Sequence, residues 1–152
     1  MEVFRISRAQ YADKLTASGV ANRWNYENEY VLYTAASRSL ATLELVVQRA
    51  AIQPHFTCQL VVIRINDDES LYEQFTQKEL PQNWRQEQAY PLLQRLGSQW
   101  YHRKSALVLK IPSAIIPKEY NYIINTSHPD FKEEHIKIVD KEPYFWDNRL
   151  IE

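Results

Sequence analysis

The chain has 152 residues, only two of them glycine, and carries 18 Lys and Arg against 19 Asp and Glu. A G-x-G-x-x-G dinucleotide loop or a Walker A loop needs closely spaced glycines, and Gly19 and Gly97 lie too far apart for either. A net charge of −1 gives no whole-chain basic footprint for nucleic acid.

The length suits one domain, residues 1–152. Val3-Phe4-Arg5-Ile6 reads as a first strand. Ser7 is placed to cap a helix from Arg8 to Thr16, with Tyr11, Ala12 and Leu15 inward. Gly19 ends that segment, and Asn22 to Asn28 has no period and reads as a loop. Glu29 to Thr34 is rich in strand formers. Ser37 is a good N-cap for a helix to about Ala51. Leu40, Leu43, Val47 and Ala50 fall at helical spacing, and Leu45 and Val46 widen the stripe, which predicts a central helix.

Phe56 to Ile65 is a long apolar strand, followed by an irregular connector around Pro81, Asn83 and Trp84. A helix is expected through Leu92, Leu93, Leu96 and Trp100. Ser105 to Ile111, Tyr120 to Asn125 and His135 to Val139 read as strands, and the aromatic tail Tyr144 to Asp147 as a last short one. About six strands and three or four helices in irregular order point to one compact α+β domain, not a doubly wound sheet.

The lone cysteine, Cys58, lies in an apolar run and reads as a buried structural thiol in a reducing compartment. No apolar stretch reaches the roughly 18 residues of a membrane span, and the N-terminus lacks a signal-peptide pattern. A cytoplasmic protein without a membrane partner is expected. His55, His102, His128 and His135 show no metal-ligand spacing, and no nucleophile elbow occurs.

Five features carry candidate chemistry, each with a plainer alternative. Glu44 is the only charge in Leu40 to Val47. It is either a desolvated functional carboxylate or an edge residue reaching water. Arg23-Trp24-Asn25 places a cation, a large aromatic and an amide before a strand. It suits phosphate or carboxylate recognition, or is a surface arginine beside a buried tryptophan. Arg5, within an apolar strand, poses the same question, and Tyr33 reads as core or as a ligand platform. Ser113, after Pro112, reads as a strand-end turn or a site residue.

Taken in order, these segments resemble the RES-domain family. The resemblance rests on Val3 to Ser7, Arg23-Trp24-Asn25, Val31 to Thr34, Ser37 with Leu40-Ala41 and Leu43-Glu44, and Leu80 to Trp84. It continues through Gly97 to Trp100, Val108 to Ile115, Glu119 to Asn125, His128 to Phe131 and Asp147 to Leu150. Family members usually have Gly-Gly before Arg-Trp, where this chain has Ala21-Asn22. Asn22 would keep part of that turn through its tolerance of positive φ.

The resemblance implies an ADP-ribosyltransferase-like fold and a bacterial toxin that splits NAD at the nicotinamide–ribose bond. NAD is then a substrate, and no separate cofactor is implied. The acceptor would be phosphate, water or a protein, and the partner a helix-turn-helix antitoxin of the Xre type. Glu44, Arg23 and Ser113 would be catalytic, and Arg5, Tyr33, Ser37 and Asn125 would bind NAD. An RNA-directed toxin and an inactive binding module are the alternative classes.

Overall fold

Strand register in this chain is set mostly by long-range ladders, and these are laid out in a computed structural model describing residues 1–48, 57–145 and 147–150. The strands are β1 (Glu2–Arg8), β2 (Val31–Ala35), β3 (Cys58–Ile65), β4 (Tyr72–Gln74), β5 (Val108–Pro112), β6 (Tyr120–Asn125) and β7 (Ile136–Pro143). They form one sheet in the order β4-β5-β6-β2-β1-β3-β7. Every pairing is antiparallel except β4 with β5. Among the described residues two α-helices, α1 (Arg38–Val47) and α2 (Tyr90–Arg103), pack on it. The α+β expectation holds.

The continuous apolar run of β3 follows from cover on both faces. Leu60 and Val62 join a cluster with Leu40 and Ala41 of α1, while Val61, Ile63 and Ile65 join a second cluster on the opposite face. On β2 the period of two decides the site. Val31, Tyr33 and Ala35 share one face. Val31 packs in the cluster that α2 supplies through Leu93 and Trp100, and Ala35 packs with α1. Tyr33 lies between the two helices. β1 and β2 are paired only at Phe4 and Ala35, so the sheet is least continuous beside that tyrosine.

Several expectations are corrected. No helix spans Arg8 to Thr16. The ladder with β3 carries β1 to Arg8, opposite Cys58, and a single 3-10 turn, Ala9–Tyr11, follows. Tyr11 is 56% exposed and only Ala12 of the expected inner face is fully buried. α1 is peripheral, not central: Leu40 and Ala41 are buried, but Val47 is 64% exposed. β4 was invisible as three residues without alternation, held only by parallel pairing to β5. The last strand, β7, ends at Pro143, and a 3-10 turn over Asn148–Leu150 closes the described chain in place of a tail strand. Cys58 is half-buried. The expected ends of the second helix and of the Phe56 strand, along with His55 and Trp146, lie outside the described residues. No helix among the described residues is long and apolar enough to cross a membrane.

Candidate active site

A cleft of about 280 Å³ opens between β1, β2 and α1. Arg5, Asn22, Tyr33, Glu44, Gln48 and Asn121 are among the residues lining it. Glu44 reaches it from α1. Its Oε1 accepts from Ser113 Oγ at 2.9 Å and from Asn121 Nδ2 at 2.7 Å. No described residue donates to its Oε2. Glu44 is half-buried and its cleft position leaves that second oxygen for a ligand.

Ser113 is fully buried and does not touch the cleft. Its Oγ accepts from the N–H groups of Ile115 and Ile116, at 3.1 and 3.2 Å, so its single hydrogen is directed at Glu44. The Pro-Ser turn is therefore structural and also anchors the carboxylate.

Arg5 is half-buried, and burial lowers its guanidinium from the ordinary arginine value. It makes no hydrogen bond or ion pair with any described residue. A desolvated cation without a counter-ion is costly unless a ligand supplies one. Tyr33 is tied at one end. Its hydroxyl donates to Asn25 Oδ1 at 2.5 Å and accepts from Trp24 N at 3.1 Å. Burial pushes the phenol well above its ordinary value, so it stays a donor, and the ring lines the cleft.

Arg23 is elsewhere. Its Nη1 donates to the carbonyls of Trp84 and Arg85, at 3.1 and 3.4 Å, and its guanidinium lies over the Tyr90 ring at 4.7 Å. It braces the connector before α2, and its neighbour Asn22 lines the cleft instead. Asn22 does not use positive φ: Asn28 and Lys104 are the described non-glycine residues that do. The turn is instead closed by an Asn22–Asn25 bridge, with Asn22 Oδ1 accepting from Arg23 N at 2.8 Å.

Asn125 is fully buried at the far end of β6, four residues or about 13 Å from Asn121. Its amide donates to Tyr101 O and accepts from Ser127 N, a purely internal set of bonds. Ser37 caps α1, its Oγ accepting from Leu40 N at 3.1 Å, and does not line the cleft. Ser37→Ala should lower stability by about 1 kcal/mol, read as a melting midpoint about 2–4 °C lower. Activity per folded molecule should not change.

The structure thus brings Arg5, Tyr33 and Glu44 together, with Ser113 behind the carboxylate. Ser37 and Asn125 do not line the cleft, and Arg23 stands near Tyr33 without lining it. Sequence reading missed Asn121, Asn22 and Gln48. For Asn121 a signal existed: on β6 it shares a face with Ile123, and an amide on a core-facing strand position asks for a partner.

One sheet held at a single pair between β1 and β2, with a helix carrying a carboxylate to that seam, defines a class of fold. It is similar to that in the crystal structure of the M. tuberculosis MbcT-MbcA toxin-antitoxin complex, with a TM-score of 0.76 at 15% identity over 94% of this chain and 83% of that one. The RES domain matches residues 2–147, and the chain belongs to the RES-domain family. A Prs ADP-ribosylating toxin of Sphingobium sp. (strain YBL2) is 34% identical over 149 residues, covering 95% of this chain and 91% of the relative. A Toxin Res of Pseudomonas putida (strain KT2440) is 34% identical over 153 residues, covering 99% of both.

Proposed function

We propose that this protein is a bacterial toxin that breaks the bond between nicotinamide and ribose in NAD. The observation that carries this reading is the Glu44 carboxylate. Among the described residues, one of its oxygens is anchored by two donors and the other accepts from none, in a cleft shared with Arg5, which pairs with no described residue, and the ring of Tyr33. In the reaction the C–N bond breaks and its electron pair leaves with nicotinamide. The ribose carbon gains positive charge, and an acceptor oxygen then bonds to it. Glu44 Oε2 accepts from a ribose hydroxyl and stabilises the developing cation, an effect strengthened where water is excluded. Arg5 pairs with the diphosphate, which needs no glycine loop. The Tyr33 ring stacks on nicotinamide.

The acceptor divides the reading in two. Phosphate or water makes the protein an NAD phosphorylase or glycohydrolase; a protein side chain makes it an ADP-ribosyltransferase. The Sphingobium relative, named as ADP-ribosylating, favours the second. A neutralising antitoxin is the expected partner, since the solved structure of similar fold is of a toxin-antitoxin complex. An Xre-type helix-turn-helix protein is the form we propose, and the cytoplasm the site of action.

Inducible expression in a bacterium should deplete cellular NAD. Purified protein given NAD, with and without inorganic phosphate, should release nicotinamide, and the second product identifies the acceptor. Intact NAD in both settings would refute the reading.

A further inference from the structure

Asn121 lies on β6 opposite Ala35 and Ile111. Its Nδ2 donates to Glu44 Oε1, while its Oδ1 is buried without a partner. An orphaned buried acceptor is destabilising. Turning the amide over gives no relief, because it would set two oxygens 2.7 Å apart. The carboxylate therefore dictates the amide's orientation. An aliphatic residue, like Ile123 two positions on, would remove the orphan and suit the strand better. A locally unfavourable residue kept beside a site carboxylate points to function and not stability. Ser113 differs: it also caps the turn at Ile115 and Ile116. Among the described residues, Asn121's side chain bonds to Glu44 alone.

We infer that Asn121 is a positioning residue that fixes Glu44 Oε1 and so aims Oε2 into the cleft. The inference rests on the reading that Glu44 acts on the substrate. The other charged or titratable groups lining the cleft are Arg5 on β1 and Tyr33 on β2, and the variants below leave both in place.

Asn121→Val and Asn121→Asp test it. Asn121→Val should lower kcat about 10- to 100-fold, the scale of a misplaced reacting group, with KM changed less than about twofold. Its melting midpoint should stay level or rise, because the orphan acceptor is gone. In Asn121→Asp two adjacent carboxyl groups share a proton at raised pH. The protonated Asp can donate as the amide did. Activity relative to wild type should therefore climb as pH falls from about 8 to about 5.5, whereas a structural role predicts a flat ratio. The inference is overturned by wild-type kcat in Asn121→Val, by a loss confined to KM, by a flat ratio in Asn121→Asp, or by a midpoint drop beyond about 4 °C. A wild type that turns over no NAD refutes the functional reading separately, and the melting midpoint then decides the role of Asn121 by itself.

Discussion

Glu44→Gln should leave a fully folded protein whose NAD turnover falls about 100- to 1,000-fold, the scale for losing one preorganised stabilising group. Glutamine is isosteric, and its Oε1 can keep both bonds, from Ser113 Oγ and Asn121 Nδ2. Its amide nitrogen then takes the place of Oε2. A neutral donor faces the cleft where a charged acceptor stood. It cannot accept from a ribose hydroxyl, and it offers no charge to the developing cation. The anchoring bonds survive, so the melting midpoint should barely move. Purified variant and wild type, compared for nicotinamide release and for circular dichroism, give the result. Equal turnover by two folded proteins would remove Glu44 from the chemistry.

Gly97→Ala should destabilise the fold strongly for so small a change. Gly97 lies in α2, and a Cβ there would stand 1.8 Å from the carbonyl oxygen of Trp24. That neighbour is backbone and cannot rotate away. Its segment is also held to α2 by Gln94 Nε2, which donates to Asn22 O at 3.0 Å and to Asn25 O at 3.4 Å. Two terms oppose each other. Alanine gains about 1 kcal/mol in helix propensity, while overpacking a rigid contact costs about 3 kcal/mol or more. The clash wins by about 2 kcal/mol, a fall of about 4–8 °C in melting midpoint for a domain of this size. Activity should fall too, because Trp24 N and Asn25 hold the Tyr33 hydroxyl. An unchanged or raised midpoint would show that the loop yields freely.

Gly19 makes the contrast. Its φ is +78°, and an added Cβ would meet the Tyr30 ring at 2.8 Å. That ring is 41% exposed and can shift, so backbone strain dominates there. The two glycines thus have different duties, one allowing a left-handed turn and one allowing a helix to touch a backbone.

Most of the strand and helix pattern was legible, because β3 is a long apolar run, β5 and β6 are short runs of strand formers, and α1 and α2 carry apolar residues at helical spacing. The short helix expected after Ser7 was not formed, since propensity over a few residues yields to a ladder of seven residue pairs. β4 has no local signal, and its three residues pair only because β5 lies beside them.

The sequence by itself determined that no glycine-loop nucleotide site exists, that one α+β domain forms, and that Arg5 and Glu44 are charges set within apolar runs. Those properties are local: composition, period, and a polar group out of place. Only the tertiary structure decided that Arg23 braces a connector, that Asn125 is internal, that Ser113 anchors from behind and that Asn121 completes the carboxylate's setting. Each of these depends on a hydrogen-bond partner more than 20 residues away, and such partners are fixed by strand register and helix packing, which no short segment encodes alone.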